Sequence, residues 1–278
     1  MKVYPLVSIC IPSYNSAQFI KQTIESVLSQ SYPNIELIIS DDCSTDSTTE
    51  IIRSFSDNRI LFHQQERNLG VEGNWNSALR LASGTYIKMM GADDLLLPTC
   101  IDDQVTVLEH PDNFDVALVS SHKRVIDQDG ETLISIRFPG KEKINGLAAL
   151  KMSVRRGNNI IGEPVAGLFR SSVLQKSGLY NGDNIYMIDL DLWSRILKHG
   201  SLYIIDKTLF CFRISRGSIS ASLGIRQFTL FNDFTSKLAA EKSFKITRTD
   251  KIIGTIMCLA KTIARQAFHR GLILTRKF

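Results

Sequence analysis

The segment ELIISDDCSTDSTTEIIRSF, residues 36–55, passes from an apolar run through an acidic loop into a helical pattern. Glu36 to Ser40 reads as a strand, since aliphatic residues continue through Leu37, Ile38 and Ile39 without polar alternation. Ser47 to Phe55 reads as a helix, with Thr45, Asp46 and Ser47 as candidate N-caps and Glu50 near the capping-box position. Asp41 and Asp42 therefore follow the carboxyl end of a strand, where open α/β sheets bind their ligands.

The same alternation extends in both directions. Leu6 to Ile11 is a short apolar run ended by Pro12, and Phe19 to Leu28 has helical periodicity. Ile60 to His63, Asn74 to Ala82, Tyr86 to Met90, Thr99 to Glu109 and Val116 to Ser120 continue the series. Repeated β-α-β order predicts a doubly wound, mostly parallel sheet. Three loops then open onto one edge: Pro12 to Asn15, Asp41 to Ser44, and Gly91 to Asp94. The second half is less regular. Val125 to Ile136 predicts a hairpin around Asp129-Gly130, Pro164 to Phe169 and Tyr203 to Arg213 predict strands, and Asp189 to Lys198 predicts a helix. Trp75 and Trp193 fall on helix faces and read as core.

A chain of 278 residues suffices for one large α/β domain with an appendage. With 44% hydrophobic and 22% charged residues, disorder is not indicated. The five cysteines are scattered and never form a C-x-x-C pair, which points to a reducing compartment rather than a disulfide framework or zinc site. Five histidines without metal spacing add no ligand set. Val3 to Ile11 reads as a first strand and not a signal peptide, and no run reaches the roughly 20 apolar residues of a membrane span. The net charge of +5 is unevenly placed. From Lys245 onward eight basic residues face only Asp250, a net of +7 that leaves the preceding 244 residues at −2. No basic face interleaved with aromatics appears on the body, so nucleic acid is not an expected partner. Neither G-x-G-x-x-G nor G-x-x-x-x-G-K-[ST] occurs, which removes the main support for dinucleotide or P-loop chemistry.

MMGADDLLLP, residues 89–98, places Asp93 and Asp94 between two apolar runs. Buried carboxylates need compensation, from a helix N-terminus, a basic side chain or a metal ion. Two readings stand: a cap on the helix from Thr99, or oxygen ligands of a hard cation shared with substrate phosphates. Asp42 and Asp189 are similarly open between a capping or helix-dipole role and a ligand-facing one.

VSICIPSYN, the helix ending in SVLSQSYPNIELIISDDCSTDST, RNLGVEGNWNSALRLASGTYI and GADDLLLP resemble successive blocks of family 2 glycosyltransferases, which have the GT-A fold. IDLDLWSRILKHG and FRISRGSIS resemble two later family motifs more weakly. The resemblance implies a nucleotide-sugar-binding half (1–120), an acceptor-binding half of the same domain (121–223) and a helical tail (224–278). It implies an inverting transfer from a nucleotide-diphosphate sugar, expected to be a UDP-sugar, to an acceptor hydroxyl. Pro12 and Tyr14 would line the base pocket and Asp42 would hydrogen-bond the base. Asn15, Asn68, Asn76 and Arg213 are carried as further donor contacts. Asp93, with Asp94, would hold Mn²⁺ or Mg²⁺, and Asp189 would be the catalytic base, with Asp191 as competitor. Three positions depart from the family: Gly91 stands for the first acid of D-x-D, Ile188 for a glutamate and Ser215 for a histidine. Rival readings are a silent carbohydrate-binding scaffold and a sugar nucleotidyltransferase; PSYNSAQF lacks the Gly-rich basic loop of the latter.

In the tail, Ile252, Ile253, Ile256, Met257, Leu259, Ala260, Ile263, Ala264, Ala267 and Phe268 share half of a helical wheel, opposite Lys251, Lys261, Arg265 and His269. Two readings fit this pattern: a terminal helix docked on the body, or a basic amphipathic helix on an anionic membrane. The family resemblance favours the second, with a polyprenyl-diphosphate-linked glycan of O-antigen or capsule assembly as acceptor and a location at the cytoplasmic face of the plasma membrane.

Overall fold

The computed structural model describes residues 4–139, 142–214, 223 and 225–274, the side chains of 268–274 excepted. Strands β1 (Val7–Ser13), β2 (Ile35–Asp41), β3 (Ile60–Gln64) and β4 (Tyr86–Met89) pair in parallel in the order β3-β2-β1-β4. Helices α1 (Ile20–Leu28), α2 (Thr48–Arg53) and α3 (Gly70–Leu81) make the connections. All seven residues of β1 are buried, as expected for a strand covered on both faces.

The sheet does not stop at this half. After β5 (Leu95–Leu96), α4 (Cys100–Glu109), β6 (Val116–Ile126), β7 (Thr132–Ile136), β8 (Lys143–Ile144) and α5 (Gly146–Arg156), strand β9 (Leu168–Arg170) inserts antiparallel between β4 and β6. Then come α6 (Ser171–Ser177), α7 (Ile188–Ile196) and β10 (Ser201–Arg213), which runs parallel to β6 and antiparallel to β5 and β8. The path is β3-β2-β1-β4-β9-β6-β10-β5, and the division expected at residue 120 falls inside β6. The hairpin expected around Asp129-Gly130 is the β6–β7 pair, with Gly130 at φ 88 and Asp127 Oδ1 accepting from the Asp129 and Glu131 N–H groups.

Trp193 on α7 anchors the second half. It is fully buried, meets Phe169 of β9 edge to face at 5.8 Å and donates from Nε1 to the Gly162 carbonyl at 3.1 Å. Truncation to alanine would cost about 3–5 kcal/mol.

Helices α5 and α6 lie where the sequence reading placed no element, and two further elements start elsewhere than expected. α3 begins at Gly70, four residues before Asn74, because a distant carboxylate caps it. Pro164 to Ala166 form a 3-10 turn and β9 starts only at Leu168, since proline cannot donate to a ladder.

The tail folds back. Helices α8 (Arg226–Ala240) and α9 (Arg248–Leu274) pack together, and α9 also lies against α5. The approach is close: a Cβ on Gly254 would come within 2.2 Å of the Val154 carbonyl, and one on Gly157 within 2.2 Å of the Cys258 nitrogen. The inward line of α9 is Asp250, Gly254, Cys258 and Thr262, with Asp250 paired to Lys151 and Arg155. Ile252, Ile256 and Ile263 point outward, each about 60% exposed, with Leu259 beside them at 40%. So the polar half of α9 meets the body and its apolar half meets solvent, the reverse of an ordinary surface helix. No helix among the described residues is long and apolar enough to cross a membrane.

Candidate functional site

The loops after β1 and β2 interlock through Asn15, whose Oδ1 accepts from Thr45 N at 2.8 Å while its own N–H donates to Ser44 Oγ at 2.9 Å. Asn15 (φ 48) and Cys43 (φ 65) both adopt the left-handed region, which asparagine tolerates and cysteine enters at a cost of roughly 1–2 kcal/mol. Asp42 is buried; its Oδ1 accepts from Leu69 N at 2.6 Å and its Oδ2 from Gly70 N at 2.9 Å. It thereby caps α3, and each oxygen keeps a second lone pair for another donor. Asn68 joins the same knot by donating to the Asp42 carbonyl at 3.1 Å. Pro12 is buried in β1, and Tyr14 stands half exposed at its end. Thus Pro12, Tyr14, Asn15, Asp42 and Asn68 gather at one sheet edge. Asn76 does not: its amide bonds the Tyr180 N–H and carbonyl, both at 2.9 Å, and ties α3 to the second half.

The acidic loop is held by β10. Asp94 is buried and its Oδ1 accepts from the Arg213 N–H at 3.1 Å, while its carbonyl accepts from Thr23 Oγ1 at 3.0 Å. Neither Asp93 nor Asp94 caps α4; the Ile101 N–H there goes to Gln30 Oε1 at 3.1 Å. Arg213 is buried as well, and its guanidinium is consumed by protein. It donates to the carbonyls of Asp93 (2.9 Å), Asp127 and Gln128 (3.0 Å each) and to Gln22 Oε1 (2.9 Å), stacked 4.6 Å from Phe19. It braces the loop from beneath and also lines the cleft beside it.

Burial raises the Asp93 carboxyl pKa; burial and then the Asp93 charge raise that of Asp94 well above the usual range. A Cβ on Gly91 would stand 2.8 Å from Asp93 Oδ1 and 3.1 Å from Asp94 Oδ2, so both carboxylates converge over this backbone position. No group of three or more His, Cys, Asp or Glu among the described residues could enclose a metal. Two carboxylates over a bare backbone nevertheless fit a hard divalent cation that completes its shell with substrate phosphates and water.

Asp189 sits in the first turn of α7, with Oδ1 accepting from Leu190 N at 2.9 Å and Oδ2 from Asn159 Nδ2 at 3.1 Å. Burial, followed by the nearby charge of Glu163, raises its pKa to about 7. Asp191 points elsewhere and is held by Arg195 at 2.7 Å. Asp93, Asp189 and Glu163 all line one cleft of about 670 Å³. Glu163 is a residue that sequence reading missed. It pairs with Lys123, which lies 4.9 Å from the Phe212 ring, and its Oε2 is buried without a partner among the described residues. Trp75, expected in the core, packs half-buried against it and also lines the cleft, edge to face with Tyr180 at 4.9 Å. Ser215 and Arg216 lie outside the described residues.

Comparison with known proteins agrees with this architecture. Two solved structures share the fold: S. aureus TarS residues 1–349 with UDP-GlcNAc (TM-score 0.66, 17% identity, 84% of this chain and 66% of that one) and the Pyrobaculum calidifontis mannosyltransferase PcManGT with GDP-Man and Mn²⁺ (TM-score 0.68, 18% identity, 97% and 76%). The Escherichia coli UDP-Glc:alpha-D-GlcNAc-diphosphoundecaprenol beta-1,3-glucosyltransferase WfaP is 34% identical over 217 residues, spanning 78% of this chain and 80% of WfaP. The putative teichuronic acid biosynthesis glycosyltransferase TuaG of Bacillus subtilis is 33% identical over 222 residues, spanning 78% and 82%. The model of glycosyl transferase family 2 matches residues 8–178, and the chain belongs to that family.

Proposed function

We propose that this glycosyltransferase moves a sugar, with inversion, from a UDP-sugar to a hydroxyl of a lipid-linked glycan in bacterial O-antigen or capsule assembly. The observation that carries this reading is a carboxylate poised near neutrality, Asp189, on the same cleft as the acidic loop of Asp93. A base with pKa near working pH combines availability with proton affinity. Asp189 takes the acceptor proton, Asn159 fixes its carboxylate, and Glu163 keeps it basic. Arg213 and Thr23 hold the loop that presents Asp93, with Asp94 beside it. A divalent ion, Mn²⁺ or Mg²⁺, would be held there with the donor and would neutralise charge on the departing diphosphate. Asp42 keeps lone pairs for the base, with Pro12 and Tyr14 beside it.

The printed substrate of WfaP supports both a UDP-sugar donor and a diphosphate-lipid acceptor. The ligands in the TarS and PcManGT structures support a nucleotide-sugar donor, and the latter a metal. The outward apolar row of α9 supports peripheral attachment to the inner face of the plasma membrane. A thermal-shift screen of UDP-, GDP- and CMP-sugars with and without Mn²⁺ tests the donor. A UDP-sugar at 100 times its Kd stabilises the native state by about 2.7 kcal/mol. A shift from another nucleotide class alone, or none, removes the donor assignment.

A further inference from the structure

Lys261 and Arg265 lie one turn apart on α9, beside its buried docking line. Lys261 Nζ donates to Asn158 Oδ1 at 2.5 Å; Arg265 Nη1 donates to the Tyr186 hydroxyl at 2.6 Å and to Gln227 Oε1. Asn158, Tyr186 and Arg265 line the same cleft as Asp189, and Asn159, next to Asn158, is the residue that bonds Asp189. Gly157, which follows Arg156 at the end of α5, packs against Cys258 of α9 and lines the cleft, which brings Arg156 near this turn of α9. Burial, then Arg156, then Arg265 lower the Lys261 pKa.

The partners of these side chains are neutral. Asp250, the acid between α5 and α9, is taken by Lys151 and Arg155. Among the described residues, none of Arg156, Lys261 and Arg265 has a carboxylate within ion-pairing distance. Three cations close together, none with a paired carboxylate of its own and one of them, Arg265, lining the cleft, repel one another, and a polyanion relieves that repulsion. The cluster is built from α5 and α9, whereas the acidic loop belongs to β4 and β5, so the two sites are chemically complementary. One recruits a cation, the other an anion.

We propose that Arg156, Lys261 and Arg265 form a binding site for the phosphate or diphosphate of an anionic acceptor, holding it beside Asp189. This rests on the glycosyl-transfer reading of the cleft. It assigns α9 two faces with separate duties, apolar toward the lipid and cationic toward the acceptor's phosphate.

The test uses the full chain and inorganic pyrophosphate in metal-free buffer, where the carboxylates of the acidic loop repel anions. Calorimetric titration is expected to show binding to wild type, at least tenfold weaker binding to the Arg156→Gln/Lys261→Gln variant, and no change for Arg80→Gln on exposed α3 surface. Lys261→Met alone guards against misfolding. Removal of a half-buried, repelled charge should raise Tm while still weakening pyrophosphate binding. Flotation with phosphatidylglycerol vesicles separates a lipid headgroup from an acceptor phosphate, and the double variant is expected to float as wild type does. No pyrophosphate binding to wild type, equal affinity in the variants, or a loss confined to flotation overturns the proposal. The UDP-sugar thermal shift is read separately with Mn²⁺, so failure of the donor reading and failure of the phosphate site give different results.

Discussion

The protonation of Asp189 is the most exposed part of the mechanism to measurement. With a pKa of about 7, the carboxylate is roughly one-tenth ionised at pH 6 and nine-tenths ionised at pH 8. Acceptor kcat/KM, for a base that must be deprotonated, is therefore expected to rise about tenfold across that interval. An ordinary carboxylate near 3.9 would give a change of about 1%. The two neighbours act in opposite directions. Glu163→Gln removes the charge that disfavours ionisation, so the acid limb should move down by roughly half to one unit; Asn159→Ala removes a hydrogen bond to the ionised form, so it should move up. Asp189→Asn should lower the maximal rate by about 10²–10⁴ with little change in donor affinity. The assay is nucleotide release from a UDP-sugar with a diphosphate-lipid acceptor, measured at fixed ionic strength from pH 5.5 to 8.5. A flat profile in wild type, shifts of the same sign in both neighbours, or full activity in Asp189→Asn would refute the assignment.

Further outcomes follow from packing. Gly91→Asp, which supplies the acid that the resemblance expects at this position, should strengthen Mn²⁺-dependent donor binding in calorimetry, because it adds an oxygen ligand beside the Asp93 and Asp94 carboxylates; unchanged affinity would detach Gly91 from the metal. Asp42→Ala leaves the Leu69 N–H uncapped and the Gly70 N–H with only Asn68 Oδ1, and should cost about 1–2 kcal/mol in urea denaturation, whatever becomes of base recognition. Ile256→Asp with Ile263→Asp should abolish flotation on anionic vesicles at unchanged Tm, since both side chains face solvent. A comparable fall in Tm would mean instead that this face packs against protein.

Where local sequence decides structure, the reading succeeded. The strands and helices from Leu6 to Glu109 follow from apolar periodicity, and the hairpin from Asp129-Gly130, because those signals lie within the element they specify. The start of α3 was not legible in this way: the residue that caps it is Asp42, 28 positions before Gly70, and contact between the two exists only after the sheet forms. Helix α5 did carry local signals that the reading passed over, Asn145 accepting from Leu147 N and Ala148 N at one end, Gly157 at φ 64 at the other, and Ala149, Leu150 and Val154 on one buried face between them. At the site, Asp93 and Asp189, which the structure places on one cleft, were named through the family resemblance. Glu163 and Lys123 could not be, since nothing in G-E-P or H-K-R states that a β6 side chain will meet that turn. The enclosure of Arg213, expected as a donor contact, by four acceptors and a phenylalanine ring was not legible either, because those partners come from distant segments. The wheel of α9 separated its two faces correctly, yet periodicity alone cannot say which face turns inward.

The shared sheet has a mechanical consequence. β6 straddles the expected division of the chain, β9 stitches β4 to β6, and β10 reaches from α7 to the acidic loop it pins. A hinge needs a few unpaired residues that can absorb a large change in φ and ψ, and none separates these strands. On the proposed reading, the acidic loop and Asp189 are therefore expected to keep their separation and not to close as a jaw, and the radius of gyration in solution should stay the same with and without a bound nucleotide sugar.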